Sequence, residues 1–168
     1  VNPADLSFEE LIDLIVSTHH VYLRRELPRL EVLLDKVVNA HGERDPRFRE
    51  VSREFAGLHV ELMAHMRKEE GILFPLIRRR HEPGVPSVAG PIAVMEAEHD
   101  AAGNALEAMR RLTDGYQPPE WACNTLRALL DGLDAAGIGR ERIAVHFHDT
   151  YGQALANTMA ALRDGVTI

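Results

Sequence analysis

The feature that most constrains this chain is the spacing of its apolar residues. They recur three and four positions apart over stretches much longer than a strand. Leu11, Leu14, Ile15, Tyr22, Leu23, Leu27, Leu30, Leu33, Leu34, Val37 and Val38 follow one helical face. Phe48, Val51, Phe55, Leu58, Leu62, Met66, Leu73 and Ile77 follow a second. Turn signals separate the stripes: Gly42 with Asp45-Pro46, then residues 81–91 with three prolines and two glycines, then Asp114-Gly115. The pattern predicts an all-α fold of four antiparallel helices at about 6–41, 46–80, 91–114 and 118–134. Ser7 is the expected N-cap of the first, with acids in its first turn. Pro28 is expected to kink that helix, and Pro118-Pro119-Glu120 to open the fourth.

Composition narrows the class. At 168 residues the chain is within the usual size of one domain and long enough to bury a core without staples. Aromatic residues make up only 5 %, which suits a bundle built on Leu, Ile, Val, Met and Ala. The single Cys123 excludes a disulfide scaffold and any Cys-rich zinc or iron–sulfur site. A net charge of −7 argues against a nucleic-acid-binding surface. No apolar run reaches the roughly 20 residues of a membrane span, and no signal peptide opens the sequence. A reducing, cytoplasmic setting is expected. The chain opens on Val1 rather than Met, so it reads as a piece of something longer.

Nine histidines then need an explanation. Glu61, His65 and Glu69 are four apart and stack on one helix face. An imidazole and a carboxylate at that spacing can bind one metal, or the carboxylate can bridge two. His99 offers a donor on the third helix. On the first helix His20 and His41 compete, and they lie about 30 Å apart at ~1.5 Å per residue. The turn near Gly42 folds the second helix back along the first. His65 lies about as far after that turn as His20 lies before it, so these two meet at one height. His41 stays near the turn as a structural residue. His19 points about 100° away from His20, and His59 and His81 are expected to face solvent.

The segments His20–Pro28 (HVYLRRELP), Lys36–Pro46 (KVVNAHGERDP), His65–Pro75 (HMRKEEGILFP), Gly90–Gly103 (GPIAVMEAEHDAAG) and Pro118–Cys123 (PPEWAC) carry a resemblance. Over residues 5–134 the chain resembles the hemerythrin-like domain of the iron–sulfur cluster repair di-iron proteins, the RIC family. The resemblance implies a hemerythrin-like four-helix bundle around a non-haem di-iron centre. It places His20, His65, His99 and bridging Glu69 at the ligand positions, with Glu61 and Glu98 as acidic residues beside the centre. It implies iron as cofactor, iron–sulfur proteins as clients and NO or O2 as small ligands. A second copy of the chain is a further candidate partner; neither nucleic acid nor a membrane is expected. The family's cysteine-bearing N-terminal domain is absent from this sequence.

The family's fourth helix should supply one more His-x3-Glu, and this chain does not have it. Residues 135–168, the atypical C-terminal segment, instead resemble part of hydroxymethylglutaryl-CoA lyase, with Ile143–Asp149 patterned as a strand. The sequence therefore reads as a 1–134 di-iron domain joined to a foreign 135–168 tail. If residues 140–164 dock as a substitute helix, His146 is the residue placed to approach the centre. Four functions compete. They are di-iron repair, O2 or NO binding by the same fold, acyl-CoA carbon–carbon cleavage resting on the tail alone, and a metal-free bundle. The expectation is a metal-binding repair protein rather than a conventional enzyme.

Overall fold

The computed structural model describes residues 6–136, and all regular structure among them is helical. The first rod is α1 (Phe8–Leu14), a π-helical turn (Ile15–His20) and α2 (Val21–His41). The second is α3 (Arg47–Lys68), a π-helical turn (Glu69–Leu73) and α4 (Phe74–Arg78). Then come α5 (Ala89–Leu112) and α6 (Asn124–Ala136). Together they form a helical bundle in which α3 packs on α2 and α5, and α6 packs on α2.

Local chemistry sets the ends. Ser7 caps α1 through a capping box: its hydroxyl accepts from the Glu10 backbone N–H at 3.3 Å, while the Glu10 carboxylate accepts from the Ser7 N–H at 2.9 Å. The first reversal is closed by Gly42 N–H to Val38 O and Asp45 N–H to His41 O, at 2.9 and 2.8 Å. The chain leaves α5 through Asp114, Gly115 and Tyr116, all with positive φ. Gly132 lets α6 approach α2: a Cβ there would lie 2.6 Å from a methyl of buried Leu30.

One expectation about the rods changes. Pro28 lies inside α2, and the helix does not end there. Wide π-helical turns interrupt α-helical regularity at 15–20 and 69–73. The fourth helix starts at Asn124, six residues later than Pro118. A residue that precedes proline is disfavoured in helical conformation, which applies to Gln117 and Pro118. The segment is held in an irregular turn by Ala122 N–H to Pro119 O, with Trp121 packed on His41 and Phe48 and under the Arg44 guanidinium.

The core has two apolar regions. One, toward the Gly42 reversal, contains Leu27, Leu30, Leu34, Val51, Phe55, Leu58, Met109, Leu126, Leu129 and Leu130. The other, toward α1, contains Ile12, Leu73, Phe74, Ile77, Ile92 and Met95. Along the first rod His20 falls between Ile12 and Leu27. Along the second, His65 and Glu69 fall between Leu58 and Leu73, and on α5 His99 falls between Met95 and Met109. Each rod therefore carries polar residues at one level, between two dry layers. Of the segment expected to be a foreign tail, residues 135 and 136 end α6; the rest, with the strand pattern of Ile143–Asp149 and with His146, lies outside the described residues.

Candidate metal centre

Buried polar residues need partners, because a desolvated donor or acceptor left alone costs about 1–3 kcal/mol. His20, His65 and Glu69 are all buried, and they satisfy one another. One oxygen of Glu69, Oε2, lies 3.0 Å from His20 Nε2. The other, Oε1, lies 3.4 Å from His65 Nε2. A single carboxylate thus faces two imidazoles on two rods, one oxygen for each. His99, half-buried on α5, brings its Nε2 to 2.9 Å from His65 Nε2. His65, Glu69 and His99 each offer a ligand atom, all within 4.8 Å of one another.

The outer nitrogens of the two buried rings are also held. His20 Nδ1 donates to Glu70 at 2.6 Å, and His65 Nδ1 donates to Glu98 at 2.8 Å. Arg24 bonds both oxygens of Glu70, at 2.9 and 2.8 Å, and Lys68 pairs with Glu98. The Phe74 ring stacks on His20 with centroids 6.0 Å apart, covering it on the α4 side.

Electrostatics follows from this packing. Burial alone would push the Glu69 carboxyl up, but hydrogen bonds from His20 and His65 outweigh it and lower the carboxyl to about 2. Burial likewise pulls His65 down, and its contacts with Glu69 and Glu98 reverse that and raise it. Glu69 is therefore a charged acceptor at neutral pH with two oxygens aimed at different imidazoles.

The donor set fits a cation. Two imidazole nitrogens at 2.9 Å, with a carboxylate oxygen beside them, converge as ligand atoms would around one ion. The second carboxylate oxygen and His20 Nε2 make a neighbouring half-site. Imidazole and carboxylate are the donors that iron accepts, and each buried ring has its far nitrogen bonded to a carboxylate, as ligating histidines commonly do.

The remaining histidines are spread along the bundle. His41 lies at the reversal, 3.1 Å from Cys123 Sγ, away from the polar layer. His59 corrects an expectation: it is half-buried, not solvent-facing, because its Nδ1 lies 3.2 Å from Glu31 and its ring packs on Phe55. His81 is exposed and His19 half-buried. Of the two acids expected beside the centre, Glu98 contacts His65, and exposed Glu61 lines a groove between α3 and α5 together with Glu98, Lys68, Ala64 and Ala97. Sequence reasoning missed Glu70, Arg24 and Lys68. The spacing of Arg24, four after His20 on one face, was the available signal.

A buried layer of imidazoles and one shared carboxylate, crossing a helical bundle, defines a cation-binding helical protein. The family model described as the hemerythrin HHE cation binding domain matches residues 12–141, and the chain belongs to that family. The iron-sulfur cluster repair protein YtfE of Yersinia pseudotuberculosis serotype IB (strain PB1/+) is 47 % identical over 125 residues. YtfE of Yersinia pestis (strain Pestoides F) is 46 % identical over 125 residues. Each alignment covers 74 % of this chain and 55 % of the relative, so the chain spans about half the length of these curated relatives.

Proposed function

We propose that this chain is a non-haem di-iron protein that takes part in repair of iron–sulfur clusters damaged by nitrosative or oxidative stress. One observation carries the di-iron reading: the two oxygens of Glu69 face imidazoles on different rods, the arrangement of a carboxylate that bridges two cations. His65, His99 and Glu69 Oε1 would hold one iron, and His20 with Glu69 Oε2 the other. When bound, such a pair supplies reversible electron transfer and a seat for a diatomic ligand such as NO or O2.

The protein's own part is positional. Glu69 supplies negative charge where two cations would otherwise repel. Glu70 and Glu98 hold the outer nitrogens of His20 and His65 and leave the inner ones for ligation. The apolar layers on either side limit water around the ligands. No helix among the described residues is long and apolar enough to cross a membrane. We further propose iron–sulfur proteins as clients and the reducing cytoplasm as the setting. Similarity to relatives named for cluster repair supports that assignment.

The test is a repair assay. An iron–sulfur hydrolyase inactivated with NO is incubated anaerobically with the iron-loaded chain, and its activity is followed. Recovery that depends on the chain, and that the Glu69→Ala variant fails to give, is expected. No recovery above the buffer control overturns the repair function.

A further inference from the structure

The two buried histidines are supported alike. In each case the ring's outer nitrogen donates to a carboxylate on another rod, and that carboxylate pairs with a cation from the histidine's own rod. For His20 the carboxylate is Glu70 and the cation Arg24, four residues after His20. For His65 they are Glu98 and Lys68, three residues after His65. The His20 arm is the more constrained. Arg24 bonds both oxygens of Glu70 and fixes its plane, while Glu69 and Glu70, adjacent in sequence, grip opposite nitrogens of one ring.

That grip has a chemical consequence. An ionised carboxylate only accepts, so the contact at 2.6 Å places a ring hydrogen on Nδ1. In the metal-free chain Nε2 also donates, to Glu69 at 3.0 Å; a cation bound beside Glu69 would displace that inner hydrogen, while Glu70 keeps the one on Nδ1. The two halves of the centre also differ. His65 faces Oε1 with the His99 ring beside it, whereas His20 faces Oε2.

We propose that Glu70 and Arg24 are positioning residues for His20, holding its tautomer and aim, and that tight binding of a second cation depends on this pair. The proposal rests on the two-cation reading above. Loss of an outer-shell partner of this kind typically weakens metal binding about 10–100-fold.

The experiment compares the wild-type chain with Glu70→Ala, Glu70→Gln and Arg24→Gln. Imidazole N–H resonances of the metal-free proteins are read by NMR, followed by titration with Co(II) alone. Exposed Arg24 can be changed with little risk to folding, and Gln at position 70 keeps an acceptor oxygen. Expected is a protected His20 Nδ1–H signal in the wild type, retained in Glu70→Gln and lost in Glu70→Ala. The first Co(II) should bind all variants alike. The second should bind Glu70→Ala at least about tenfold more weakly, with Arg24→Gln and Glu70→Gln intermediate. An unchanged His20 signal in Glu70→Ala overturns the clamp. A lost signal with unchanged second-site affinity overturns its positioning role. A wild-type chain that shows the signal but takes no second Co(II) overturns the two-cation reading, and with it the proposal.

Discussion

Replacing Glu69 with Gln in the metal-free protein removes one charge from the polar layer and leaves the side-chain volume nearly unchanged. The carboxyl is lowered from 4.5 to about 2 by its two histidine partners. At about 1.4 kcal/mol per pH unit, the ionised form is favoured by up to about 3 kcal/mol. Its side chain is 8 % exposed, so solvent screens little of this. The amide still fills the space and can accept one hydrogen bond, so we expect a loss of about 1–3 kcal/mol. For a chain of this size that lowers the melting temperature by about 2–10 °C. The pH dependence fixes the cause. A lowered carboxyl stabilises the fold above 4.5 and loses that contribution as pH falls toward 2. The raised His65 contributes fully below 6.5 and loses its share as pH climbs through its raised value. The difference between parent and variant should therefore be widest between about pH 4.5 and 6.5. Thermal melts followed by circular dichroism, on chelator-treated protein at pH 5.5 and 8.5, measure it. A variant as stable as its parent at pH 5.5 refutes the reasoning.

Three further outcomes follow from the same geometry. His65→Ala should abolish most iron uptake while His41→Ala, at the reversal, leaves it intact; iron analysis of the two purified variants checks this. Cys123 accepts from His41 and from the Leu126 N–H, which lowers its thiol to about 7, so its alkylation by iodoacetamide should be half-maximal near that pH. In His41→Ala the inflection should move up toward the ordinary thiol range, about 8.5. Gly132→Leu should cost about 2–3 kcal/mol or more by forcing α6 away from Leu30, read as a lowered melting temperature.

The rods and the reversal after His41 were legible because apolar period and glycine–proline punctuation act locally. The height count that pairs His20 with His65 needed only the helical rise and one turn, and both rings contact Glu69. The π-helical turns at 15–20 and 69–73 were not legible. They fall where the rods carry His20 and Glu69, and nothing in the local apolar period marks them. Glu70 was hidden for the same reason: on a regular helix the residue after Glu69 points about 100° away, whereas here both reach one ring. The start of α6 was misread because Pro118-Pro119 resembles a helix opening, while Trp121, packed between the tilted His41 ring and the Arg44 guanidinium, holds that segment in a turn.

If the Glu69 layer is a two-iron site, iron per chain is its most direct measure. The chain is loaded anaerobically with ferrous iron, desalted, and assayed for iron against protein by amino-acid analysis, beside Glu69→Ala treated in the same way. Two irons per chain are predicted for the parent and fewer than one for the variant, with both remaining helical. A parent that retains one iron or none, or a variant that retains as much as its parent, would contradict it.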